Sequence, residues 1–140
     1  MKNNEVLRAI IYKAVEMWNG VFIVNTTPHP IVFENTTGVL VTVENDPALL
    51  INARVEETLV SSENGVDFVK STFIPSEEGS LILDEIEEFA RESGKRVVVI
   101  GSIITAQAFP GRVFGMTPVP GYERVAPSEK RMSVTKFVTF

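Results

Sequence analysis

Between residues 19 and 79 the chain never runs far without meeting a turn. Asn19-Gly20, Thr27-Pro28-His29-Pro30, Asn35-Thr36-Thr37-Gly38, Asp46-Pro47, Asn64-Gly65 and Pro75-Ser76-Glu77-Glu78-Gly79 cut it into short pieces. Proline lacks a backbone donor and fixes φ, and Gly and Asn tolerate positive φ, so no long helix passes through such a segment. The pieces between are β-branched and aromatic: 21–24, 31–33 and 39–43 read as short strands. Ile51, Ala53, Val55 and Leu59 alternate with Asn52, Arg54, Glu56 and Thr58, which predicts a strand with one buried and one wet face. Asn64-Gly65 predicts a tight hairpin returning over 66–74, because both central residues of a type I′ turn need positive φ. The result is a largely antiparallel meander.

Helical spacing appears on either side of it. Val6, Leu7, Ile10, Ile11, Ala14, Val15 and Trp18 recur at three-to-four intervals, predicting an amphipathic helix over 5–18 that ends at Asn19-Gly20. Its stripe suits the chain's own sheet or a second subunit, and Trp18 is expected in the core. A second helix is expected over 81–93, with Ser80 as cap, Ile82, Ile86, Phe89 and Ala90 inward, and Gly94 as stop. Arg96-Val97-Val98-Val99-Ile100 reads as a central buried strand. A short helix is expected over 103–109, an irregular Pro- and Gly-rich loop over 110–128, and a strand over 132–140. The expected fold class is therefore α+β, one domain over 1–140. A mostly antiparallel sheet of about six strands would carry two main helices, with residues 1–20 available for oligomerisation and a Pro/Gly-rich tail ending in a strand.

A length of 140 residues suits one core. The chain has no cysteine and one histidine, which removes disulfides, thiolate metal sites and multi-His centres. No metal and no cofactor is expected. No apolar run approaches the roughly 18–20 residues of a membrane span, and the first residues lack the pattern of a secretion signal. The expectation is a cytoplasmic protein with no membrane partner. Net charge is −5, unevenly placed: residues 1–94 hold six Lys/Arg against sixteen Asp/Glu, and residues 95–140 seven against two. That asymmetry fits complementary halves, an anion site or oppositely charged subunit surfaces, and it disfavours duplex nucleic acid as a partner.

Three places carry chemistry. In Asn25-Thr26-Thr27-Pro28-His29-Pro30 the prolines hold His29 extended, so the imidazole could act as base, proton donor or anion contact. The plainer alternative has the Asn25 and Thr27 side chains satisfying backbone groups in a crossover between strands, with the imidazole completing the network. At Ile100-Gly101-Ser102-Ile103 a strand gives way to a helix start, where Ser102 either helps hold an anion or simply caps the helix. In the tail, Arg112, Arg124, Lys130 and Arg131 lie among Phe114 and Tyr122, which suits a nucleotide-like ligand or a loop pinned by its rings. The acidic residues Asp84, Glu85, Glu87, Glu88 and Glu92 read as a solvated helix face with a Glu87–Arg91 pair.

These landmarks, in this order, resemble a group of small bacterial and bacteriophage proteins in which a strand runs into Asn-Leu-Thr-Pro-His and an aliphatic residue. Here the segment reads Asn25-Thr26-Thr27-Pro28-His29-Pro30-Ile31, with Thr26 in place of leucine. Residues 97–106, Arg112, Pro118, Pro120 and Arg124 are similar in order and kind, while residues 3–19 lie outside the likeness. The resemblance implies an order of elements, a conspicuous His29 and a viral or mobile-element origin, without an activity.

Three functional readings follow. The first is a non-enzymatic binder of an anionic or nucleotide-like small molecule, using His29, Asn25 and Thr27 with Arg112, Arg124, Tyr122 and Ser102. The second is a structural or interaction protein working through a homo-oligomer interface, as a dimer or larger. The third is a hydrolase with His29 as general base.

Overall fold

The computed structural model describes Ile11 and residues 14–140. The fold is α+β, with strands in mixed and antiparallel sheets and two helices among the described residues. Strands β1 (Val15–Trp18), β2 (Val21–Asn25) and β7 (Arg96–Ile100) form one sheet, ordered β1-β2-β7. Strands β3 (Ile31–Glu34), β4 (Leu40–Val43), β8 (Gly115–Pro118) and β9 (Met132–Val138) form a second, ordered β4-β3-β9-β8. Strands β5 (Ala53–Glu63) and β6 (Val66–Pro75) pair only with each other. Helix α1 (Glu77–Ser93) and the short α2 (Ile103–Ala108) complete the set.

The body has three layers. Val24 and Val99 point to one face of the first sheet and meet Leu83, Ile86 and Phe89 of α1, together with Phe109 and Val113. Ile23 and Ile100 point to the other face and meet Phe33, Val43 and Val134 of the second sheet. β2 and β7 are thus covered on both sides, which is why 96–100 is almost uninterrupted in β-branched residues.

Several expectations change. Most strand pairs are antiparallel, as expected, but there are three sheets and two of them are mixed: β2 pairs in parallel with β7, and β3 in parallel with β9. Parallel neighbours need a crossover, so their pairing joins segments about seventy or more residues apart and leaves no local mark. The described residues also form nine strands instead of about six. Residues 15–18 of the expected first helix are strand β1, because Asn19 and Gly20 both take positive φ (53° and 77°) and form a hairpin turn into β2. The remainder of that helix lies outside the described residues, apart from Ile11, which is helical and buried, and Ala14, which is in neither helix nor strand. β8 falls within the expected irregular stretch, with Pro118 at its end where proline is tolerated.

Helix α1 starts earlier than Ser80. Ser76 is its cap: the hydroxyl accepts from Gly79 N at 3.1 Å and donates to Asn52 O at 2.6 Å, tying the helix to the segment before β5. Gly94, at φ 68°, ends it as expected. Close approach selects glycine at 79. A Cβ there would meet Ser76 Oγ at 2.7 Å, and Ile51 and Phe109 at 2.8 Å. Gly79→Ala is expected to lower stability by about 1–3 kcal/mol through overpacking, outweighing the roughly 1 kcal/mol by which alanine favours a helix. An unchanged urea midpoint would contradict this packing.

Candidate functional site

The segment 25–30 carries the chain from the first sheet to the second, and its side chains replace the ladder hydrogen bonds that the crossover gives up. Asn25 is buried, and its amide uses both ends. Nδ2 donates to His29 O at 2.8 Å and Val43 O at 3.1 Å, and Oδ1 accepts from Thr27 N at 2.9 Å. The Thr27 hydroxyl lies 2.7 Å from the same Oδ1 and 2.9 Å from His29 O, so one proton serves two acceptors. Thr26 is also buried, with its hydroxyl donating to Ile100 O at 2.6 Å. Asn45 Nδ2 reaches Pro28 O at 3.1 Å. Buried amides and hydroxyls must be paired, and here each is. Asn25 and Thr27 therefore serve the crossover, as in the plainer of their two readings. The imidazole, expected to complete the network, does not: His29 enters it through its main chain, and the residue itself is exposed.

Ser102 is the cap of α2. Its Oγ accepts from Thr105 N at 3.1 Å and lies 3.0 Å from the Thr105 hydroxyl. Gly101 at this turn packs closely, since a Cβ would meet Val113 at 2.7 Å. The turn is built by helix capping and close packing.

The tail cations have separate partners. Arg112 reaches back to α1, where Nε and one terminal nitrogen each hold Glu87 at 2.8 Å and that nitrogen also holds Asp84 at 2.9 Å. The hydrogen bonds from Glu87 raise the Arg112 pKa above its ordinary value, with desolvation opposing and Asp84 adding to the rise. This arrangement pins the segment after α2 onto α1 and corrects the expected Glu87–Arg91 pair: Arg91 instead bonds Glu88 at 3.0 Å. Arg112 thus sits on the α1 layer, while His29 sits in the crossover to the second sheet. The two are not brought into one site.

Arg131, rather than Arg124, accompanies Tyr122. Its guanidinium lies 4.6 Å from the Tyr122 ring centroid and bonds Glu34 at 2.8 Å. The bond to Glu34 raises the Arg131 pKa. A hollow of about 470 Å³ opens beside them, lined by Val32, Leu40, Tyr122, Val125, Ser128, Glu129, Lys130 and Arg131. Arg124 is exposed nearby in sequence. The tail's aromatic and basic residues are thus partly gathered, around a guanidinium that already holds a carboxylate.

The hairpin β5–β6 forms where Asn64-Gly65 predicts it, but its exposure is not the expected one. Every residue from Arg54 to Thr72 is exposed, so the arm has two wet faces rather than one. At a rise of about 3.3 Å per residue it reaches about 30 Å. Its root is attached to the body: Ala53 and Phe73 pack on the core, and both strands meet α2. Beyond the root, Val55, Leu59, Val60, Val66, Phe68 and Val69 are between 46% and 68% exposed. In the pairing register Val55 faces Phe73 and Leu59 faces Val69, two apolar pairs on one side of the arm with Glu57 and Ser71 between them. A signal was present in the sequence. Valine, leucine and phenylalanine fall on both parities of 53–75, which an amphipathic surface strand would not show.

No helix among the described residues is long and apolar enough to cross a membrane. Among them no three His, Asp or Glu side chains gather as a metal ion would require. No family model, curated protein or solved structure matches the chain.

Proposed function

We propose that this chain is a non-enzymatic interaction protein that works by self-association through its projecting hairpin. The carrying observation is the arm itself: a long two-stranded ribbon exposed on both faces and rich in large apolar side chains. A lone two-stranded hairpin is marginal in water, and contiguous apolar surface of this kind is characteristic of contact sites. The body, by contrast, is built as a platform. Its conspicuous motif is spent on a crossover, and two of its arginines, Arg112 and Arg131, hold carboxylates. The anionic-ligand reading rests on the hollow beside Tyr122 and has less support, because its cations lie in separate places.

The test is mass in solution. By light scattering, the full chain is expected as a dimer or larger at micromolar concentration. A variant with residues 57–71 replaced by Asn-Gly, which closes the hairpin after the Glu56–Thr72 pair, is expected as a folded monomer. Equal masses for the two proteins, with cooperative unfolding of both, would overturn the proposal.

A further inference from the structure

Resting on that self-association reading, we propose how the arm is covered: β6 of one copy adds antiparallel to β6 of a second copy, with Val69 at the two-fold axis, giving a continuous four-stranded sheet β5-β6-β6-β5. The two strands of the arm are unequal as edges. β5 carries Glu56, Glu57 and Glu63, and its ladder is interrupted between Leu59 and Ser61, leaving Val60 as the extra residue. Acidic side chains and bulges are the usual defences of a strand edge. β6 has neither defence along Phe68-Val69-Lys70-Ser71-Thr72-Phe73-Ile74. It is unbroken from Val66 to Pro75, and residues 68–74 carry one charge, Lys70, and no proline, with Asp67 and Pro75 at the two ends. Both outer edges of the arm are unpaired among the described residues.

Self-pairing puts a residue opposite its own copy at the axis, so each register can be read for charge. For β5, an axis at Glu56 or Glu57 sets a carboxylate against itself, and an axis at Thr58 runs into the bulge. For β6, an axis at Lys70 sets ammonium against ammonium. An axis at Ser71 is free of that conflict but opposes Val69 to Phe73, which is already packed on the body's core. An axis at Val69 uses only exposed residues. Phe68 then faces Lys70, Asp67 faces Ser71 and Val66 faces Thr72. No like charges stand directly opposite, and a cation faces an aromatic ring. Val69 meets Val69 on the side that carries Leu59, so the Leu59–Val69 pairs of the two arms join into one apolar row across the axis. Four strands sharing an apolar face meet the condition that two strands alone do not.

The chain has no native cysteine, so single cysteines report this geometry directly. Val69→Cys is nearly isosteric, and in the full chain the two copies place Cβ atoms about 5 Å apart. Under a mild glutathione redox buffer the expected result is near-complete disulfide dimer. Leu59→Cys, opposite Val69 on β5, is expected to stay uncrosslinked, because three strand spacings of about 4.8 Å separate the two copies. Spin labels at Val66→Cys are expected about 20 Å apart, six residue rises between symmetry mates, plus the label arms. An axis at Ser71 would raise this to about 33 Å. A wild-type dimer in which Leu59→Cys crosslinks and Val69→Cys does not overturns the β6 contact and leaves self-association standing. A wild-type monomer at every concentration overturns both.

Discussion

Asn25→Ala is expected to lower unfolding stability by about 3–5 kcal/mol, out of the roughly 5–15 kcal/mol a domain of this size possesses. The buried amide closes three backbone groups, His29 O, Val43 O and Thr27 N. Thr27 still offers its hydroxyl to His29 O, so the alanine variant leaves Thr27 N without its side-chain partner and takes one bond from Val43 O. Each orphaned buried group costs about 1–3 kcal/mol, and the lost volume adds to that. Asn25→Asp keeps the shape but turns an acceptor toward the two carbonyls, and is expected to be at least as damaging. His29→Ala, by contrast, removes an exposed ring from a residue tied in by its main chain, and is expected to shift stability by less than about 0.5 kcal/mol. Urea unfolding of the three variants checks the set. A cost below about 1 kcal/mol for Asn25→Ala would show that the crossover does not depend on this amide.

Phe33→Ala is expected to cost about 3–5 kcal/mol, and unevenly across the molecule. Phe33 is fully buried in β3, in the cluster where Ile23 and Ile100 of the first sheet meet Val43 and Val134 of the second. Helix α1 packs in the other cluster, on the far face of the first sheet. Removing the ring opens a cavity between the two sheets and leaves the α1 side filled. Hydrogen exchange is therefore expected to lose protection first in β3, β4, β8 and β9, with Leu83, Ile86 and Phe89 of α1 protected to near the global limit. Uniform loss across α1 and the second sheet would mean that the layers unfold as one unit.

The sequence was most informative where structure is local. Asn64-Gly65 marks its hairpin, Gly94 stops α1, and the β-branched run 96–100 becomes the strand buried on both faces. The alternative reading of the crossover held for Asn25 and Thr27, whose side chains bond backbone groups two to four residues away, but not for His29, which joins the network by its main chain and not its imidazole. The same local logic erred where two outcomes share one signal. Asn19-Gly20 ends helices and turns hairpins equally well, and here it turns β1 into β2.

What the residues determined unaided were the turns, the caps and the β character of most segments, since φ preferences and hydrogen bonds within a few residues act before any fold exists. Only tertiary structure decided that β2 lies along β7 and β3 along β9, that Arg112 goes to α1 while His29 stays in the crossover, and that β5 and β6 overrun the body instead of lying on it. Those outcomes depend on which apolar faces, far apart in the chain, bury one another. That choice is made by the whole core, and no short stretch of residues encodes it.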